Sequence, residues 1–199
     1  GSKAATSRPN SVEGRLVKLL TYLHAKRPTE GWGAFLDGSN PKWDLMVLSG
    51  HSLGATQAAF IAKDKVVGRV AMFAGPIDHL PVGRAVTTPV PWLLGPHATP
   101  SGRYFSFGHS ADEQIDWAPQ WAGLKLGLNE LGVVANVDTL PAPYGKTHVL
   151  TTSAVPAPGR PDAQSTTPNH ASVARDDYLP LDASGQPKFA PVWQYMCFA

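Results

Sequence analysis

Apolar residues along the chain fall either at helical spacing or in short continuous runs, and the switches between the two mark out its elements. Leu16, Leu19, Leu20 and Leu23 fall at i, i+3, i+4 and i+7, which is one face of an amphipathic helix. Ser11 suits its N-cap, and the helix is expected to end near Arg27-Pro28, because a residue before proline resists the α region. Residues 1–11 are a polar lead-in, and Gly31 to Pro41 is rich in turn formers. Trp43 to Leu48 is a short apolar run of the kind buried on both faces of a sheet. Residues 55–63 read as a helix of mostly small side chains, followed by a strand at about Val66–Phe73. A stretch rich in proline and glycine, Gly75 to Gly102, leads to a third strand at Arg103–Phe107. Residues 113–131 suit a helix with a break at Pro119, Val133–Val137 a fourth strand, and His148–Leu150 a further short extended piece. Pro156, Pro158, Pro161 and Pro168 make 154–168 a flexible surface loop by expectation, and a last helix is expected near Val192–Cys197. Strands alternating with helices predict the α/β class with a mainly parallel sheet.

Composition narrows the picture. Apolar residues make up 43% and charged residues 16%, which excludes disorder as the dominant state. Seventeen Lys and Arg against fifteen Asp and Glu leave a charge of +2, scattered rather than patched, so nothing favours nucleic acid. No apolar run approaches the roughly 18–20 residues of a membrane span. Cys197 is the single cysteine, so there is no internal disulfide and no cysteine-based zinc site. The length of 199 residues suits one domain. Many prolines, glycines and tryptophans with few charges favour an extracellular or periplasmic location, although no signal peptide opens the chain.

The candidate chemistry lies at Gly50-His51-Ser52-Leu53-Gly54, which matches G-x-S-x-G. Three fixed positions arise by chance in roughly one chain in fifteen of this size, so the match alone decides little. Its setting decides more: it follows a buried-strand run directly and opens onto a helix of small residues, the strand–turn–helix context that such a motif requires. The tight turn lifts the serine hydroxyl above the sheet and leaves Ser52 in a strained φ/ψ region. Gly50 and Gly54 are expected to allow close approach of strand and helix. The Leu53 N–H then lies at a helix N-terminus, where it favours an oxyanion.

Together with Gly14-Arg15-Leu16, Trp43-Asp44 and Phe73-Ala74-Gly75-Pro76, this elbow resembles the α/β-hydrolase superfamily, in its serine esterase and lipase-like part and in a poorly characterised bacterial branch of it. The resemblance implies a parallel sheet with flanking helices and the chain order serine, acid, histidine. Asp112, just after the third strand, is the candidate acid, and it also suits the N-cap of the element that follows; Asp78 is the alternative, with Glu113 and Asp116 weaker and expected on a solvated face. His170 is the candidate base and His148 its alternative, since a histidine inside an apolar stretch is more often structural. His51 is expected to pack or hydrogen-bond nearby, and His79, His97 and His109 lack metal spacing. Trp92, Tyr104, Trp117 and Trp121 could line an acyl pocket but suit the core better.

The expected function is cleavage of a small-molecule carboxylic ester through an acyl-enzyme on Ser52, with no cofactor and no metal. An acyltransferase would use the same residues. The rival class is a non-catalytic binding or assembly subunit. The family usually supplies a second oxyanion donor from a loop after an early strand, and no such strand is legible before Trp43. The chain therefore reads as the C-terminal portion of the fold, with a second polypeptide expected to supply the N-terminal strands.

Overall fold

The computed structural model describes residues 7–80, 88–93, 95–114, 133–159 and 166–198. The chain divides into two compact units, Gly1–Met46 and Val47–Ala199. In the first, α1 spans Val12–Lys26. The Ser11 hydroxyl accepts the Gly14 N–H at 3.1 Å, as its cap position predicts. Glu13 in the first turn and His24 and Lys26 in the last complement the helix dipole. Of the four leucines expected on one buried face, Leu20 is buried while Leu19 is 52% exposed. Periodicity finds a stripe but does not say how much of it will be covered. A short antiparallel pair, β1 (Leu36–Asp37) and β2 (Asn40–Pro41), follows.

The strand expected at Trp43–Leu48 begins later. Trp43–Leu45 is a 3-10 turn, and β3 runs from Val47 to His51, straight into the elbow. The second unit is built on β3, β4 (Arg69–Phe73), β7 (Tyr104–His109), β8 (Ala135–Asn136) and β9 (Val149–Thr152). Two short strands, β5 (His79–Leu80) and β6 (Thr88–Pro89), pair with each other outside it. Among the described residues the sheet has five strands in the order β3-β4-β7-β9-β8, and every pair in it is parallel. The short piece expected at His148–Leu150 is thus a full sheet member, one position inward of β8. The strand β3 lies at the sheet edge, which overturns its expected burial on both faces: Val47 is 42% exposed.

Side chains alternate across β4 and β7. Ala71, Phe73, Phe105 and Phe107 face one way and pack with Val192 and Met196 of the last helix (Ala190–Phe198). On β4 the intervening Val70 and Met72 are fully buried and face the other way. The helix α2 (Leu53–Asp64) lies against β3 and β4 through buried Ala55, Ala58, Ala59 and Ala62, small enough for a close seat. Arg69 Nη1 donates to the carbonyls of Tyr195 and Met196, each at 3.2 Å, at the C-terminal end of the last helix, where cations are favoured. Its guanidinium also stands 4.5 Å over the Phe105 ring.

Residues 154–159 carry no regular structure, as expected for part of the 154–168 loop, but Ala157 N–H bonds the Tyr178 carbonyl at 2.9 Å. Almost all of the helix expected at 113–131, with Asp116, Trp117 and Trp121, lies outside the described residues. Among the described residues, no helix is long and apolar enough to cross a membrane.

Phe107 is fully buried with the Phe189 ring edge-on at 5.0 Å. Phe107→Ala should therefore lower unfolding free energy by about 3–5 kcal/mol, whereas Leu19→Ala should cost no more than about 0.5 kcal/mol. Urea denaturation of both variants checks the contrast, and equal losses would contradict this core.

Candidate active site

The elbow forms because the backbone at Ser52 turns back on itself. Ser52 has φ 59° and ψ −121°, a region that costs a non-glycine residue about 1–3 kcal/mol. Its N–H donates to the Phe73 carbonyl at 2.9 Å, which pins the turn to the end of β4. A Cβ at Gly50 would stand 2.2 Å from the backbone carbon and oxygen of Gly54, so strand and helix can meet only if position 50 is glycine. A Cβ at Gly54 would meet nothing within 4 Å. The expectation that both glycines are needed for close approach thus holds for Gly50 alone. Leu53 opens α2, and amides in a helix's first turn have no partner within the helix.

Asp112 follows β7 and has a fully buried side chain. Its Oδ2 lies 2.7 Å from His170 Nδ1. A carboxylate only accepts, so Nδ1 carries the proton and Nε2 presents its lone pair. Nε2 is buried and has no hydrogen-bond partner among the described residues. His170 sits on α3 (Pro168–Ser172), a helix of five residues, too short to be stable by its own hydrogen bonds.

Other groups hold it. Glu113 accepts the N–H groups of Asn169 on Oε1 and of His170 on Oε2, each at 2.9 Å. Asn169 Nδ2 donates to the Ala111 carbonyl at 3.1 Å, and Gln114 Nε2 donates to Thr167 Oγ1 at 3.0 Å. The turn that carries Asp112 is shaped in the same way. Asp112 Oδ1 accepts the Gln114 N–H at 2.8 Å. His109 Nδ1 accepts the Ala111 N–H at 2.9 Å, which leaves Nε2–H to donate to the Ala154 carbonyl at 3.1 Å. On the elbow side, His51 Nε2–H donates to the His170 carbonyl at 2.8 Å, and the two imidazole centroids are 4.8 Å apart.

The structure therefore brings Asp112 and His170 into contact and seats them beside the elbow that carries Ser52 and Leu53. It does not do so for the alternatives. Asp78 accepts the Trp92 indole N–H. His148 stacks on Phe105 at 3.9 Å, and its Nδ1 lies 3.0 Å from the Tyr104 carbonyl. That placement is at the N-terminal end of β9, whereas Ser52 and Asp112 follow C-terminal strand ends in this parallel sheet. Glu113 is not on an open solvated face: it is half-buried, and its carboxylate anchors the backbone of Asn169 and His170. Sequence reading missed that role, together with those of His109 and Asn169, because a polar side chain bonded to a backbone group leaves no periodic signal. Tyr104 is core, and the Trp92 ring meets Phe60 edge-on at 5.3 Å. Among the described residues, no group of three potential ligands could hold a metal ion.

Burial pushes the His51 imidazole below its ordinary value, and the neighbouring His170 and Arg175 add to the fall; the bond to the His170 carbonyl and the Asp112 carboxylate act against it. His148 is also lowered, by burial first and by Arg69, with its Tyr104 bond opposing.

No protein-family model, curated protein or solved structure matches the chain. The α/β class rests on the five-stranded parallel sheet with its flanking helices.

Two outcomes follow from this geometry. Gly50→Ala should lower stability by about 2–3 kcal/mol through overpacking, while Gly54→Ala should be neutral or stabilise by up to about 1 kcal/mol; urea midpoints decide. The second concerns pH. His51 and His148 are held neutral below their ordinary value of 6.5, so below that pH the unfolded chain binds more protons than the folded one. Stability is then full above this value and declines as pH falls through it. Urea midpoints should drop between about pH 7.5 and about pH 5.5, and a flat profile across that window would contradict the assignment.

Proposed function

We propose that the chain is a serine hydrolase that cleaves a carboxylic ester through an acyl-enzyme on Ser52. The observation that carries this reading is the buried Asp112–His170 pair, whose unengaged Nε2 lies on a residue bonded directly to the elbow. Ser52 attacks the carbonyl carbon, and His170 Nε2 takes the hydroxyl proton. Asp112 keeps the ring in the tautomer that can do so and stabilises the imidazolium that forms. His170 returns the proton to the departing alcohol oxygen. Water then adds to the acyl carbon and gives a proton to Nε2, which passes it to the departing Ser52 Oγ, so that the acid is released and both Ser52 and His170 are restored. The Leu53 N–H supplies one oxyanion donor. An alcohol in place of water would make the same chemistry an acyl transfer.

The edge position of β3 favours one addition to this reading. An apolar edge strand is a template for pairing, and we propose that a second polypeptide adds a strand there and contributes the second oxyanion donor. The rival reading keeps the fold as a binding or assembly subunit without turnover.

A fluorophosphonate probe, followed by mapping of the adduct, separates these readings. Wild type should label at Ser52, and Ser52→Ala should not label. With a p-nitrophenyl ester, Ser52→Ala and His170→Ala should each lose about 10³–10⁶ in kcat, and the double variant should lose no more than either alone. Folded wild-type protein that neither labels nor turns over would overturn the hydrolase reading of the isolated chain and favour the binding-subunit reading. Labelling and turnover by the isolated 21.2 kDa chain would remove the need for a second polypeptide.

A further inference from the structure

The base is gripped at three points: Asp112 holds its ring, Glu113 its backbone amide and His51 its carbonyl, at 2.7, 2.9 and 2.8 Å. Asp112 and Glu113 belong to one turn, so their bonds fix His170 to the end of β7 and say nothing of where Ser52 stands. His51 is different. It is the last residue of β3, one peptide from the nucleophile, and it reaches a partner 119 residues away. Its Cα is about 3.8 Å from that of Ser52, so a bond from its ring to the His170 backbone refers the base to the same peptide that aims the serine.

We propose that His51 is a positioning residue that registers His170 against Ser52. The proposal rests on the hydrolase reading above. Its physical content is separable from stability, because the Asp112 and Glu113 bonds survive when the His51 donor is removed. What is lost is the alignment of two preassembled parts, the elbow and the acid–base pair. The imidazole suits the role sterically, since its ring fills the space beside the His170 ring at 4.8 Å while Nε2–H reaches past it to the carbonyl. A side chain of similar size without a donor keeps the packing and loses the bond. An amide side chain keeps a donor.

The test compares His51→Phe with His51→Gln in the full chain. Three quantities are measured: the rate of fluorophosphonate addition to Ser52, kcat and KM for a p-nitrophenyl ester, and the downfield nuclear magnetic resonance signal of the His170 Nδ1 proton, assigned by its loss in Asp112→Asn. His51→Phe should lower kcat and the labelling rate together by about 10–100-fold, the scale of a misplacement near 1 Å, with KM within about two-fold. The His170 Nδ1 signal should remain. His51→Gln should recover most of the loss. Wild-type rates in folded His51→Phe would overturn the proposal, as would a glutamine variant no faster than the phenylalanine one. Loss of the Nδ1 signal, or unfolding of both variants, would make His51 structural instead. Failure of wild type itself to label at Ser52 is a distinct result that defeats the hydrolase reading and this proposal with it.

Discussion

A buried carboxylate sets the terms for this molecule. Asp112 has no exposed side-chain surface, and an unpaired charge in such a place costs several kcal/mol. The cost is offset locally. One oxygen meets the His170 ring and the other the Gln114 amide, and the segment that carries His170 must be held close enough for the first of these bonds to form. The polar contacts between 111–114 and 167–170 serve that end. Glu113, Asn169 and Gln114 each supply a bond across the gap, so a helix of five residues keeps a defined place without stability of its own.

The elbow is a separate constraint, resolved in the backbone. A positive φ at Ser52 is tolerated because strand β3 and helix α2 leave the turn no other path. Gly50 permits the contact with Gly54, and a Cβ at Gly75 would crowd Ala55 Cβ at 2.7 Å. Helix α2 is seated by alanines, with Thr56 Oγ1 accepting the Ile77 N–H at 2.9 Å to join it to the loop after β4. The sheet thus carries two parts at its C-terminal edge, the tight turn at Ser52 and the bonded segment that holds the His170 ring. The bond from His51 joins them.

The edge position of β3 links this local order to the wider architecture. Elsewhere the sheet strands are well covered: Val70, Ala71, Met72 and Phe107 are fully buried. Among the described strands of this sheet, β3, which carries the elbow, is the one with an exposed face, and this motivates the pairing partner in the functional proposal.

The sequence by itself determined the alternation that makes a parallel α/β sheet, because buried strands write continuous apolar runs and α1 writes its own period. It also determined the elbow, since only glycine at position 50 admits the turn and that requirement is visible as a residue. That Asp112 and His170 meet agrees with the chain order that the family resemblance implies, with each residue placed after a strand. Only the tertiary structure decided the rest. That no strand is legible before Trp43 already implied an unpaired edge there, but how much of each face of β3 is covered depends on packing partners, which a strand's own composition does not name. The same holds for Leu19 on the half-covered helix. Glu113 and His51 owe their roles to backbone groups that are distant in sequence, and backbone amides and carbonyls are common to every residue. A bond to one of them leaves no mark in the order of side chains; it exists only once the fold has brought the two segments together.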